Sequence, residues 1–295
     1  MKKIIYFLFL CLTCIACEKE LDFEFHEIDP IVVVEGRLTN EGAEVRITRS
    51  RSVEDSVHGQ GLAGATVVIT STGINESLTY DAATGVYRSA FCGTPGTTYH
   101  LSIDFEGQHF EGQSSMPDPA PIVKDNFVWM EILDIRGLTY EVWAKDPNPN
   151  ERNYYWYRMD RRSIHPNLIN EPQDKAYSWN VFDDRGMPSG FIFVDAMCTT
   201  DREPDEDNEN YWKRYIYEGD LIYFQLMTID AATFEYYRSL RSGQSGGANP
   251  YTNLSGGCLG YFAAGSISRA SLMFHNADIQ TYKPFSELFP QTISQ

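Results

Sequence analysis

An acidic segment from Asp201 to Asn210 carries the side chains best suited to hold a metal ion. Asp205, Asp207 and Glu209 alternate within it, and calcium takes roughly six to eight oxygen ligands, many of them carboxylates. The segment has neither the central glycine nor the closing bidentate glutamate of an EF-hand loop. We therefore expect a solvated surface loop in which these three residues are the candidate ligands, and we predict no cofactor.

No set of residues points to nucleophilic or acid–base catalysis. A serine or cysteine nucleophile needs a neighbouring base and an orienting acid. The chain has no Gly-x-Ser-x-Gly elbow between a strand and a helix. Its six histidines are scattered and show no His-Glu-x-x-His spacing. The sequence therefore predicts that the protein is not an enzyme.

Aromatic residues cluster in the second half of the chain. The run Tyr154–Tyr157 is accompanied by Trp179 and by a group around Trp212. Aromatic faces beside polar loops form binding surfaces, but alternation along a strand places half of each set in the core. Tyr155, Trp156 and Trp212 are therefore candidates for contact with a ligand, whose identity the sequence does not give.

Cys17 follows a segment with the order of a secretion signal. Lys2 and Lys3 precede an apolar run from Ile4 to Ile15, which is too short to span a bilayer comfortably. The small residue Ala16 then precedes the cysteine. This order resembles a bacterial lipoprotein signal, residues 1–16, which implies cleavage before Cys17 and its lipidation by palmitate-type acyl chains. An ordinary cleaved signal with an incidental cysteine is the alternative.

The residues after Cys17 form an acidic tether, residues 17–29. Its charged residues include Glu18, Lys19, Glu20, Asp22 and Glu24, and it has little apolar content. Such a stretch resembles the surface-export signal of Bacteroidota lipoproteins, which implies a lipid-anchored protein on the exterior face of the outer membrane. A flexible, solvated linker is the alternative.

The charge of the chain excludes some partners. Its 295 residues carry 41 acidic and 24 basic side chains, a formal net charge of −17. Such a body repels the phosphates of nucleic acids and anionic lipid head groups. We therefore expect no nucleic-acid partner, and contact with the membrane through the lipid anchor alone.

Three cysteines follow Cys17, namely Cys92, Cys198 and Cys258. An odd number in an oxidising compartment allows one disulfide and one free thiol, and their spacing matches no zinc site. If one bridge forms, Cys198–Cys258 is the expected pair, because both residues lie in the later half of the chain. Three buried thiols are the alternative.

Short β-type segments separated by turns dominate the chain from Pro30 onward. Strands spaced roughly 8–12 residues apart with turn residues between them predict β-sandwiches. The segments that begin at Gly64, Gly85 and Gly96 resemble those of an immunoglobulin-like module of the prealbumin type. We expect a mainly β protein of two β-sandwich-like domains, the first of them, residues 30–115, immunoglobulin/prealbumin-like.

A proline-rich stretch from Met116 to Pro121 marks the expected domain boundary, because its prolines cannot lie in a central strand. The second domain, residues 122–295, is predicted to be β-rich. One short helix is expected near residues 231–242, because Asp230 is a suitable N-cap and the apolar residues after it recur at helical spacing. Residues 260–268 and 269–274 are expected to form two closing strands.

Several short motifs, taken in order, carry a family resemblance. They are Ile31–Gly36, Asp146–Tyr155, Gly219–Leu226, Tyr236–Leu240, Asn249-Pro250, Asn253–Gly257 and Leu259–Ala264. Together they resemble the Bacteroidota lipoprotein family numbered four-two-four-nine among the domains of unknown function, although Cys258 interrupts the expected glycine pattern.

Members of that family are typically encoded beside TonB-dependent receptors. The resemblance therefore implies an accessory binding subunit of a nutrient-uptake system, with a TonB-dependent outer-membrane receptor as its partner and a cargo that it does not identify. The other function compatible with the sequence is a free-standing structural or adhesive surface lipoprotein without cargo.

Overall fold

The computed structural model describes residues 29–50, 59–132, 135–166, 168–169, 176–200, 215–243 and 249–289. Within these ranges the protein is built from several β-sheets and one short helix of 13 residues, so the predicted fold class is confirmed. No helix in the described ranges is long and apolar enough to cross a membrane.

The described residues form 17 strands and two α-helices. In chain order the strands are β1 Val32–Thr39, β2 Gly42–Arg49, β3 Thr66–Ser71, β4 Ile74–Ser77, β5 Thr79–Asp81, β6 Val86–Ser89, β7 Thr98–Phe105, β8 Gln108–Ser115, β9 Ile122–Ile132, β10 Ile135–Lys145, β11 Tyr154–Arg162, β12 Ser178–Asp183, β13 Phe191–Thr200, β14 Leu221–Ile229, β15 Leu254–Ser255, β16 Leu259–Met273 and β17 Gln280–Thr281. The helices are α1 Ala231–Gly243 and α2 Phe285–Leu288, with a 3-10 turn at Asn276–Asp278.

One eight-stranded sheet runs through the whole molecule in the order β12-β11-β14-β16-β1-β2-β6-β5. Its strands alternate as the sequence predicts: in β1, Val34 and Leu38 are fully buried, whereas Glu35 is exposed and Arg37 is half-buried on the opposite face. We call these the inner and outer faces of the sheet.

Two smaller sheets cover the inner face side by side. A five-stranded sheet, β15-β8-β7-β3-β4, encloses the first core, which contains Val34, Ile47 and Phe262. A four-stranded sheet, β13-β10-β9-β17, encloses the second core, which contains Tyr140 and Phe224. The molecule is therefore two sandwiches that share one long sheet.

Strand β16 joins the two sandwiches. Residues 259–265 pair in parallel with β1, and residues 266–273 pair antiparallel with β14. Phe262 and Ala264 contribute to the first core, and Ala270 and Leu272 pack against the second. The expectation of two closing strands was therefore wrong, because residues 260–268 and 269–274 belong to a single strand that changes partner without a break.

The close approach of β16 to β1 requires glycine at position 260. Gly260 has a φ of +105°, and a Cβ atom there would lie 1.8 Å from the carbonyl oxygen of Val34. No L side chain fits at that distance, so the parallel pairing depends on this residue.

Two asparagine side chains hydrogen-bond to backbone groups of β16 that have no neighbouring strand. Asn253 accepts a hydrogen bond from the Phe262 amide (2.9 Å) and donates one to its carbonyl (2.7 Å). Asn40 makes the same pair of bonds to Ile267, at 2.7 and 3.1 Å, on the other edge of the strand. Each asparagine therefore satisfies one donor and one acceptor that would otherwise be unpaired.

The connection between β8 and β9 is fastened to the shared sheet. Ser266 donates a hydrogen bond to the Pro117 carbonyl (2.6 Å), and Thr228 donates one to the Asp118 carbonyl (2.8 Å). The domain boundary placed at residues 116–121 stays a prediction. Residues 254–264, which the sequence assigned to the second domain, nevertheless supply Leu254, Cys258 and other side chains to the first core.

Asp230 ties helix α1 to both parts of the molecule. Its carboxylate accepts a hydrogen bond from the Thr233 amide (2.9 Å), as an N-cap does, and others from the Ser114 hydroxyl (2.6 Å) and the Ser115 amide (3.1 Å). Ser114 in turn accepts a hydrogen bond from the Ala264 amide of β16 (2.8 Å). The helix N-terminus is therefore fixed where β8 meets β16.

Replacing Asn253 by alanine should lower the free energy of unfolding by about 2–3 kcal/mol, because it leaves the amide and the carbonyl of Phe262 without partners. Urea unfolding measures this loss. The matched control is Asn75→Ala at an exposed position of β4, which should change stability by less than about 0.5 kcal/mol. Equal losses in the two variants would contradict the role assigned to Asn253.

Candidate functional site

Helix α1 covers one part of the outer face of the eight-stranded sheet. Its Tyr236 and Tyr237 pack on Tyr261 of β16, with ring centroids 4.6 and 5.1 Å apart, and Tyr237 also stacks on Trp156 of β11 at 6.0 Å. These aromatic contacts fix the helix over β11, β14 and β16. The outer face of β1, β2 and β6 lies beside the helix and carries charged side chains.

A cavity of about 280 Å³ opens on the outer face where β1 ends. We call it the arginine cavity; its lining residues are Arg37, Thr39, Glu41, Gly42, Ala43, Glu44, Arg88, Ser89, Gln225, Ile267 and Arg269. They come from β1, the β1–β2 turn, β2, β6, β14 and β16. The cavity therefore depends on the order of strands in the large sheet.

The charged side chains that line the arginine cavity form ion pairs with one another. Arg37 is hydrogen-bonded to Glu44, and Arg88 lies 3.7 Å from the other oxygen of that carboxylate. Arg269 binds Glu41 through two hydrogen bonds of 2.7 and 2.5 Å. The hydrogen bonds from Arg269 lower the pKa of Glu41 below its ordinary value, so this pair stays ionised near neutral pH.

Asn40 holds one wall of the cavity in place. Its side chain binds the backbone of Ile267, and the next residue, Glu41, binds Arg269. The β1–β2 turn is thereby fastened to β16 at the point where that strand leaves β1. The guanidinium groups of Arg37 and Arg269 thus have fixed positions on either side of the turn.

The lining chemistry favours a small polar ligand. Guanidinium groups bind carboxylates and phosphates in a two-pronged geometry, and Gln225 and Ser89 add neutral hydrogen-bonding groups. Ala43 and Ile267 are the apolar side chains of the lining. A ligand with anionic or hydroxyl groups can compete with Glu41 and Glu44 for the arginines, whereas an apolar ligand would desolvate these ion pairs without replacing them.

A second group of charges lies on the outer face of the four-stranded sheet. Glu141 of β10 is directly opposite Asn126 of β9 on one side and Asp195 of β13 on the other. We call these three residues the acidic row. Glu141 and Asn126 are buried, whereas Asp195 is exposed at the sheet edge. Desolvation and the charge of Glu141 raise the pKa of Asp195 to about 6.

The aromatic candidates Tyr155 and Trp156 are core residues. Tyr155 has no exposed surface and stacks on Phe182 at 5.3 Å. Trp156 is 6% exposed and lies under α1. Neither ring offers a free face to a ligand, because the inner face of β11 packs on the second core and the helix covers its outer face.

Several predicted site residues lie outside the described residues. They are the lipidation site Cys17, the metal candidates Asp205, Asp207 and Glu209, and the ligand candidate Trp212. The signal peptide and most of the acidic tether also lie outside the described ranges. These assignments stay predictions.

The cysteines do not form the disulfide that the sequence allowed. Cys198 is buried in the second core and Cys258 in the first, and both are free thiols. Burial raises the pKa of Cys198 to about 12, which keeps this thiol protonated and unreactive. Cys92 is exposed, so the alternative of three buried thiols is not observed either.

The sequence reasoning missed the cavity residues Arg37, Arg88 and Arg269. One local signal was present, because polar and charged residues alternate with apolar ones in β1 and β2 and must share a face. Arg37 and Arg88 come together through β2, which pairs with both β1 and β6. Arg269 joins them because β16 pairs with β1, and that pairing joins residues more than 200 positions apart in the chain.

The fold and the cavity together define a β-sandwich protein with an open, polar cavity on its outer sheet face. The chain belongs to the family described as Domain of unknown function (DUF4249), whose model matches residues 18–271. No curated protein matches the chain. The matched range includes both sandwiches and ends within β16, so β17 and α2 lie beyond it.

Replacing Asp195 by asparagine should remove part of the pH dependence of the free energy of unfolding. The pKa of Asp195 in the folded protein is about 6, above its ordinary 3.8, so the folded state holds this proton more tightly than the unfolded chain. The resulting stabilisation is complete below about pH 3.8 and is lost as pH rises through about 6. A full shift would contribute about 3 kcal/mol, but solvent screening at the exposed edge reduces it to about 1 kcal/mol.

Urea unfolding at about pH 5 and about pH 8 measures this effect. Between these pH values, Asp195→Asn should lose about 1 kcal/mol less stability than the unsubstituted protein. Asp278→Asn, at an exposed position in the 3-10 turn, serves as the control and should behave as the unsubstituted protein does. An identical pH dependence in Asp195→Asn would show that neither desolvation nor Glu141 raises the pKa of Asp195.

Proposed function

We propose that this protein is a surface lipoprotein of the outer membrane that acts as an accessory binding subunit of a TonB-dependent nutrient-uptake system. The single observation that carries the binding role is the arginine cavity, an opening on the outer sheet face that is lined by three arginines and by neutral hydrogen-bonding side chains. Family membership over residues 18–271 supports the proposal, because it agrees with the resemblance from which the uptake role is inferred.

The anchoring role is supported by the start of the chain. Lys2, Lys3 and the apolar run that ends at Ile15 precede Ala16 and Cys17 in the order of a lipoprotein signal. Two or three acyl chains on Cys17 would hold the body firmly, since each buried methylene contributes about 0.8 kcal/mol. The acidic tether would then place the body beside a receptor in the same membrane.

The cargo that fits the cavity is small and polar. Its volume of about 280 Å³ accommodates a small molecule or one end of a larger one. Arg88 and Arg269 are each about half exposed, so an anionic or hydroxyl-rich group can reach them from solvent. In this role the protein binds cargo without changing it chemically.

Replacing Cys17 by serine should release the protein from the membrane, because serine has no sulfur to accept the lipid. Detergent phase partitioning of cell extracts measures the change, with the unsubstituted protein in the detergent phase and Cys17→Ser in the aqueous phase or retained as the uncleaved precursor. The matched control is Cys14→Ser, which should partition as the unsubstituted protein does. Cys14 is the other cysteine at the end of the apolar run, and release by Cys14→Ser but not by Cys17→Ser would assign the lipid to Cys14.

The receptor partnership is tested by affinity purification of the anchored protein from outer membranes dissolved in mild detergent, with mass spectrometry of the material that accompanies it. We expect a stoichiometric TonB-dependent receptor and a small polar molecule. The Arg88→Ala variant should still bind the receptor but should no longer bind the small molecule. The control is Arg136→Ala, which removes a guanidinium that lies over the Trp129 ring and does not line the cavity. This control should bind both the receptor and the small molecule. Recovery of the lipoprotein alone would favour the structural or adhesive role.

A further inference from the structure

The acidic row places three oxygen-bearing side chains on adjacent strands. Asn126, Glu141 and Asp195 are direct register partners on β9, β10 and β13, so their side chains share the outer face of the four-stranded sheet. Directly opposed Cβ atoms in an antiparallel sheet are about 5 Å apart. Short side chains that lean from both sides towards the central strand can therefore bring their oxygens to one point above Glu141.

Asn126 is buried without a hydrogen-bond partner. It is 5% exposed, and among the described residues neither its Oδ1 nor its Nδ2 has a partner. Leaving a buried amide unsatisfied costs about 1–3 kcal/mol, and Asn126 lies directly opposite Glu141 without bonding to it. An unpaired amide oxygen in this position can serve as a ligand to a cation.

Among the described residues, the acidic row has one ion pair, between Glu141 and Lys124. Glu141 is 3% exposed, and Lys124 lies 3.7 Å from its carboxylate, which is longer than a hydrogen bond. Lys124 is 29% exposed, so it can turn towards solvent. The two carboxylates of the row thus carry two negative charges against this one ammonium group, and an additional cation would lower their energy.

We propose that the acidic row is a binding site for a single calcium ion. The ligands are the carboxylates of Glu141 and Asp195 and the Oδ1 atom of Asn126, with water completing the shell on the exposed side of Asp195. Calcium accepts an irregular set of oxygens at 2.3–2.6 Å, roughly, whereas magnesium requires a near-octahedral set. A site with two carboxylates has a Kd of about 10⁻⁴ to 10⁻³ M, as in extracellular calcium modules.

The test is calorimetric titration of the chelator-treated full-length protein with calcium chloride and, separately, with magnesium chloride. We expect one calcium ion per chain and no measurable heat with magnesium. The melting temperature should rise by about 3 °C at a calcium concentration tenfold above the Kd. Absence of calcium heat and of a thermal shift would overturn the proposal.

Four substitutions locate the ion. Glu141→Gln and Asp195→Asn should each abolish binding, and the second keeps the test decisive if the buried Glu141→Gln fails to fold. Asn126→Asp adds a charge to the same site and should tighten binding about tenfold. Asp104→Asn, at an exposed carboxylate of the first sandwich that binds His109, should bind calcium as the unsubstituted protein does.

The segment from Asp201 to Asn210 is the competing location for calcium. Binding that survives both Glu141→Gln and Asp195→Asn, and is lost in Asp205→Asn, would assign the ion to that segment and overturn the assignment to the acidic row. Binding that is lost in Asp195→Asn and retained in Asp205→Asn would support it. These outcomes do not depend on the receptor partnership, because the titration uses the purified protein alone.

Discussion

The partner change within β16 is the constraint on which the rest of the structure depends. A strand that pairs with β1 over its first half and with β14 over its second half leaves one edge of each half without a neighbour. Unpaired backbone groups in a protein interior are costly, and Asn253 and Asn40 supply the missing partners at Phe262 and Ile267. At the change itself Gly265 is required, because a Cβ there would lie 2.5 Å from the Thr228 carbonyl oxygen.

The arginine cavity follows from the same constraint. Strand β1 ends at Thr39 while β16 continues, so the outer face of the sheet has a step at this point. The turn after Thr39 folds against the step and brings Glu41 to Arg269, and Gln225 of β14 closes the far side. A sheet of uniform width would have been flat here. The strand that joins the two sandwiches thus also lines the arginine cavity.

A feature of this structure could be predicted from the sequence when the residues that cause it are close together in the chain. Helix α1 was predicted within one residue at its end, because its apolar spacing and its N-cap are local. The single strand β16 was predicted as two strands that meet at residue 269, because its change of partner from β1 to β14 is a long-range feature that the local pattern does not show. Tyr155 and Trp156 were both candidates for contact with a ligand, but nothing local shows that Tyr155 packs in the second core or that α1 covers Trp156. The functions of Asn40 and Asn253 were invisible, since Asn40 acts on a residue 227 positions away and the bonds of Asn253 matter only once β16 has changed partner.

The arginine cavity and the acidic row differ in how well their charges are balanced, and this difference determines what each of them can bind. In the arginine cavity each carboxylate lies against a guanidinium, so the empty site is stable and a ligand must compete for partners that are already engaged. In the acidic row Lys124 pairs with Glu141 at 3.7 Å, and the Asn126 amide has no hydrogen-bond partner among the described residues, so a bound cation would add contacts that this row lacks. Under the functions proposed above, binding of cargo at the first site would be an exchange of partners that allows release, whereas calcium at the second site would add contacts that this part of the fold lacks.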